Sequence, residues 1–191
     1  MALTEQLMDA DAFLARPETR WREELIDGRI LVNEPSWVHQ EAALAIAFSL
    51  RRWIEDGRGW GGVSLPVDLR ISARDVLAPD VVWYADRARV AVSAPAQLQP
   101  PDLVVEVRSP STWKYDVGVK SERYAGWGVH ELWLVDTEAR KVVVRRRSHP
   151  DSRRFDATVE LSADDTLTSP RLPGFALLVQ EIFAVPGEHQ K

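Results

Sequence analysis

Five consecutive residues at 103–107 read LVVEV, inside the stretch "PPDLVVEVRSPSTWKYDVGVK" that spans residues 100–120. An unbroken apolar run of strand length is buried on both faces, so it predicts a central strand with a layer packed above it and another below. Glu106 interrupts that run. A carboxylate stranded in such a place either gains a proton or acquires a cation. A loop rich in Ser, Pro and Thr follows at once, and a helical segment follows the loop.

The rest of the chain supplies the layers. Thr4 can cap a short helix over about 5–15, ended by Pro17. "WREELIDGRILVNE" predicts a hairpin turning at Asp27-Gly28. From Ser36, apolar residues at 43, 44, 46, 47, 50, 53 and 54 follow helical spacing, and Gly57 marks the end of that helix. "WGGVSLPVDLRIS" and "DVLAPDVVWYA" predict strands, and 87–101 a loop or weak helix. "KYDVGVKSERYAGWGV" predicts a helix and "ELWLVD" a strand. "KVVVRRR" and "RRFDATVEL" predict an antiparallel pair turning near His149-Pro150, and "LPGFALLVQEIF" a turn with a short terminal helix. With no internal repeat and no low-complexity linker, the expectation is one domain over 1–191, an α/β sandwich with a mixed central sheet flanked by helices.

Composition narrows the chemistry. The chain has 191 residues and no cysteine, so disulfides and thiolate metal sites are excluded, and any metal is held by oxygen or imidazole. Acids near the start, where a signal peptide would be basic, together with the lack of a membrane-length apolar run, predict a cytoplasmic protein. The formal net charge of -5 argues against a strong sequence-independent polyanion binder, although basic residues gather at Arg140, Lys141, Arg145, Arg146 and Arg147 and at Arg153 and Arg154. Such a run is expected to be the solvent side of a surface hairpin.

Three residues carry the chemistry. Asp80, after Pro79, opens the strand "DVVWY", and Glu106 interrupts a neighbouring one. Two carboxylates converging from adjacent strands make a hard oxygen site suited to magnesium or manganese. A lysine beside them completes a phosphodiester-cleaving centre. Lys120 is placed for this, because Asp116, Lys120 and Tyr124 fall on one helical face.

"LAPDVVWYADR" and "PPDLVVEVRSPSTWKYDVGVKSERYAGWGVHELWLVD", with the earlier "EELIDGRI" and "HQEAALAIAFSL" and the later "LPGFALLVQEIF", resemble the Uma-type family of candidate restriction endonucleases in the PD-(D/E)xK nuclease superfamily. The resemblance covers nearly the whole chain and implies a restriction-endonuclease-like fold and DNA as substrate. It makes Asp80 and Glu106 the metal-binding acids, Lys120 a lysine moved from strand to helix, and Glu24 the acid ahead of the core. One departure is Arg108, standing two residues after Glu106 where the superfamily signature has lysine. An arginine stays charged and is a poor proton-transfer partner, which again favours Lys120.

The leading expectation is therefore a magnesium- or manganese-dependent endonuclease. Asp80, Glu106 and the Val107 carbonyl hold the ion, and a homodimer supplies two centres for two strands. A non-catalytic nucleic-acid- or protein-binding member of the same fold is the rival, and two-carboxylate glycoside hydrolysis a third possibility.

Several residues have plainer readings. Lys120 and Asp116 alone form only a weak helical ion pair. His39, in the first turn of the long helix, is more often satisfied or solvent-facing than a ligand. His130, His149 and His189 are expected at the surface. Ser109, Ser111 and Thr112 lack the setting of a nucleophile and are expected to cap the following helix. "GWGG" at 59–62 lacks the lysine and spacing of a phosphate loop, and Trp113 could stack on a base.

Overall fold

A computed structural model describes residues 7–17, 19–110 and 112–184. Helix α1 (Ala10–Leu14) is capped by Asp9, whose side chain accepts from the Ala12 amide at 2.8 Å. The expected cap Thr4 and start Glu5 lie outside the described residues. Strands β1 (Arg22–Ile26) and β2 (Arg29–Asn33) form the hairpin, and Asp27 and Gly28 take the positive φ angles of a type I′ turn, 51° and 77°. Helix α2 (Trp37–Glu55) starts at the Ser36 cap and ends before Gly57. Its Ala43, Ile46, Ala47, Leu50 and Trp53 are buried, whereas Leu44, expected on that face, is exposed beside Trp37 and Phe48.

Short strands follow: β3 (Gly62–Ser64), β4 (Leu69–Arg70), β5 (Val76–Leu77) and β6 (Val81–Tyr84). After β7 (Leu103–Val107) come a single helical turn α3 (Trp113–Tyr115), a π turn over Asp116–Lys120, and α4 (Ser121–Trp127). Gly118 leaves helical dihedrals inside that π turn, at φ -96 and ψ -106. Strands β8 (Glu131–Asp136), β9 (Lys141–Arg146), β10 (Ala157–Leu161), β11 (Thr166–Leu167) and β12 (Leu177–Leu178) and helix α5 (Val179–Ile182) complete the described chain.

The main sheet runs β10-β9-β8-β7-β6-β3, parallel between β7 and β8 and antiparallel elsewhere, so the strand carrying Glu106 is interior as expected. One face packs Val105, Val107, Trp133 and Val144 against α2 and α5; the other packs Val104, Leu132 and Leu134 against Tyr124 of α4. By strand alternation Glu106 belongs to the face covered by α4.

The N-terminal hairpin joins a separate sheet, β2-β1-β5-β4. The reason is Pro79: with no N–H to continue a ladder, it splits "DVLAPDVVWYA" into β5, paired with β1, and β6, paired with β7. Asp80 therefore stands where the chain passes from one sheet to the other. One expectation is corrected: the basic hairpin is not simply a solvated face. Val142 and Val144 point to the α2 side, so Arg145 points to α4, where it donates to Val117 O and Ser121 Oγ, both at 2.8 Å. Arg146 turns in to Glu131 at 2.9 Å.

Candidate active site

The bend at Ala78–Asp80 meets side chains from β1 and α2 and a backbone amide from β7. Arg22 and Glu24 alternate onto one face of β1 and meet the bend from the first sheet. Glu24 Oε1 accepts from the Ala78 amide at 2.8 Å, and Arg22 donates to Ala78 O and Asp80 Oδ1. The Val107 amide, at the end of β7, donates to Asp80 Oδ2 at 2.6 Å. His39 of α2 places Nε2 at 3.2 Å from Asp80 Oδ1.

Lys120 comes from the opposite layer. Its Nζ lies 2.8 Å from Glu106 Oε1, 2.9 Å from Glu24 Oε1 and 2.9 Å from Asp116 Oδ1, and Tyr124 donates its hydroxyl to Glu106 Oε1 at 2.5 Å. Asp80, Glu106, Asp116 and Lys120 are each 2% exposed and Glu24 is 1% exposed. The Asp116 contact is thus no weak surface pair but part of a buried cluster.

Charge in this volume is unbalanced. Four carboxylates, Glu24, Asp80, Glu106 and Asp116, face two permanent cations, Arg22 and Lys120. Burial pushes the Glu106 carboxyl up to about 8; Lys120 pulls it down, and Asp116, Glu24 and Asp80 push it further up. Burial raises Asp116 as well, against the pull of Lys120. Asp80 goes the other way: burial would raise it, but His39, Arg22 and the Val107 amide together hold it at about 2. Burial disfavours the charge on Lys120, yet Asp116, Glu106 and Glu24 outweigh burial and hold its pKa well above the ordinary lysine value.

The site's outer edge is a cleft of about 520 Å³ lined by Trp21, Arg22, Asp68, Ala78 and Gln97 among others. Burial, with Glu24 adding to it and Arg22 opposing, lifts Asp68 there to about 6. Arg22, its side chain 16% exposed, stands between this cleft and Asp80.

The cluster suits a hard dication in its donors and its charge. All the acids offer oxygen, the formal excess is two negative charges, and magnesium-type ions bind through one or two carboxylates while keeping waters. Among the described residues no group of three or more His, Asp or Glu side chains forms a ready-made cage. Asp80 stands just before β6 and Glu106 lies in the neighbouring strand β7.

Other residues singled out by sequence lie apart. Arg108 pairs with Asp136 at 2.9 Å and Glu138 at 2.6 Å, and its guanidinium lies 5.8 Å from the ring centre of half-buried Trp113. Ser109 donates to Asn33 Oδ1 at 2.8 Å, and Thr112 occupies the helix cap without a side-chain cap bond; Ser111 lies outside the described residues. His39 is fully buried rather than solvent-facing. His130 is half-buried, its Nδ1 2.9 Å from an Arg147 nitrogen; His149 is exposed; His189 lies outside the described residues. Sequence reasoning missed Arg22 and Asp68. Period-two alternation from Glu24 was the available signal for Arg22.

A family model named Uma2, "Putative restriction endonuclease", matches residues 10–180. A crystal structure of "a putative nuclease belonging to DUF820" from Anabaena variabilis matches with a TM-score of 0.77 at 20% identity, over 92% of this chain and 97% of that one, which speaks to fold. No curated protein matches the chain.

Proposed function

The chain belongs to the Uma2 family, and on that premise we propose that it is a divalent-metal-dependent endonuclease hydrolysing DNA phosphodiester bonds. The observation that carries this reading is the gathering of four buried carboxylates, Glu24, Asp80, Glu106 and Asp116, around only two permanent cations, Arg22 and Lys120. Asp80, Glu106 and the Val107 carbonyl would hold a magnesium or manganese ion. Such an ion polarises the phosphate and acidifies a bound water.

The chain's own groups do the rest. The Val107 amide fixes one oxygen of Asp80, and the Tyr124 hydroxyl fixes one of Glu106. Three acids keep Lys120 charged, so it serves as a fixed cation for the charge that grows on phosphate oxygens, not as a proton acceptor. Glu24 and Asp116 hold its ammonium in place. Substrate phosphate reaches the acids along the cleft at Arg22, whose guanidinium stays charged and can meet it. Two strands are cut by two copies of the chain.

One observation favours a second reading. The acids are closed off at 2% exposure or less and contacted by Arg22, His39 and Lys120, an arrangement that also suits a member binding nucleic acid or protein without cutting it. One experiment separates the two. With magnesium or manganese the chain is expected to cleave plasmid DNA, and Asp80→Asn and Glu106→Gln each to lower the rate at least about a hundredfold. Variants as fast as the parent overturn the mechanism. No ion binding by calorimetry, with salt-sensitive DNA binding kept, establishes the second reading.

A further inference from the structure

The outer face of α2 carries apolar side chains that the fold leaves uncovered. Trp37, Leu44 and Phe48 are 72%, 53% and 59% exposed. They lie opposite the side that buries His39, Ile46 and Trp53, so the helix is apolar on two faces and packed on one. An exposed apolar surface of this kind marks an interaction site.

With Glu41, Arg51 and Glu55 these residues form one stripe, recurring at alternate intervals of four and three, the spacing of a helix-pairing seam. Leu44 and Phe48 stand equally far on either side of Ile46, as do Glu41 and Arg51, and as do Trp37 and Glu55. A second copy of α2 laid antiparallel, with a two-fold axis level with Ile46, therefore sets Leu44 against the partner's Phe48 and Glu41 against the partner's Arg51. A two-fold contact requires such a self-complementary patch. A parallel pair would instead set Glu41 against the partner's Glu41, a like-charge contact. Within the chain these charges are little used: Arg51 meets Glu55 at 3.6 Å in an exposed, weak pair, and among the described residues Glu41 has no ion-pair partner.

We propose that α2 is the seam of a homodimer. A second copy of the chain docks on the stripe of Trp37, Leu44 and Phe48, antiparallel and two-fold, with apolar pairs at the centre and Glu41–Arg51 pairs beside them. The inner side of the same helix meets Asp80 through His39, so the contact uses the side turned away from that bend. It gives a surface to the two copies invoked above for two strands, yet it stands on α2 alone and does not depend on the nuclease reading.

Light scattering and sedimentation of the full chain at micromolar concentration test the proposal without any DNA cleavage. The expected mass is that of two chains. Phe48→Glu and Leu44→Glu alter exposed positions, so both variants should keep the circular dichroism of the parent while raising the dimer dissociation constant at least about thirtyfold. Glu41→Arg and Arg51→Glu should each raise it about tenfold, because each sets like charges across the axis. Mixing those two variants should restore a dimer of parental affinity, since both charge pairs of the mixed dimer are again opposite in sign. A parent that stays monomeric across the micromolar range overturns the proposal, and the stripe then belongs to a different partner. A dimer unmoved by Phe48→Glu and Leu44→Glu is built on another face and overturns it as well. No recovery on mixing overturns the antiparallel register.

Discussion

Two glutamates, each 2% exposed, sit on neighbouring parallel strands, Glu106 late in β7 and Glu131 at the start of β8. Glu131 has donors of its own: Trp133 Nε1 at 2.6 Å, Arg146 Nε at 2.9 Å and Ser169 Oγ at 2.9 Å. Glu106 has the Tyr124 hydroxyl and a lysine that it shares with Glu24 and Asp116. Burial is equal, and the allocation of donors is not. An acid with dedicated partners is a structural fixture, whereas an acid that shares one cation among several carboxylates leaves charge for a ligand to neutralise.

Removing the shared cation should have the largest effect. Lys120→Met leaves Glu24, Glu106 and Asp116 facing one another, and urea melts should place it about 3–5 kcal/mol below the parent. Equal stability of the two proteins would mean that the three acids are already largely protonated.

The two glutamates should next respond with opposite sign. Glu131→Gln should destabilise by about 1–3 kcal/mol, because it weakens bonds made by buried donors. Glu106→Gln, in metal-free protein near pH 8, should be neutral or stabilising. The folded carboxyl keeps its proton up to about 8, against an ordinary value of 4.5, so the parent loses stability as pH rises through that window. Glu106→Gln should flatten that slope. Asp80, held at about 2 against 3.8, adds stability above 3.8 that is lost as pH falls toward 2. Melts at pH 5 and pH 8 check the slope, and a parent more stable at pH 8 than its Glu106→Gln variant would remove the contrast. Ser169→Ala, which takes one of several donors from Glu131, should have the smallest effect, about 1 kcal/mol in the same melts.

Much of this arrangement was legible in the chain. The apolar run with one acid gave the interior strand, Asp27-Gly28 the hairpin, Ser36 and Gly57 the limits of the long helix, and the spacing of Asp116, Lys120 and Tyr124 the shared face. What escaped depends on long-range placement. Arg22 reaches Asp80 across 58 positions, and only the bend at Pro79, with β5 given to one sheet and β6 to another, brings them together. Burial of His39 has no local signature, since a histidine in a first helical turn faces whatever the neighbouring sheet presents. The roles of Arg108 and Arg145 hinged on partners, Asp136 and Ser121, that belong to other elements.

The π turn at Asp116–Lys120 makes the lysine's aim a matter of counting. Each helical residue turns the chain by about 100°, so a frame-preserving loss of one residue from Val117–Val119 would swing Lys120 and Tyr124 around the axis together, away from Glu106. A methyl group on Gly118 would meet no atom within 4 Å beyond its chain neighbours. In this segment the length of the message keeps the ammonium on the acids.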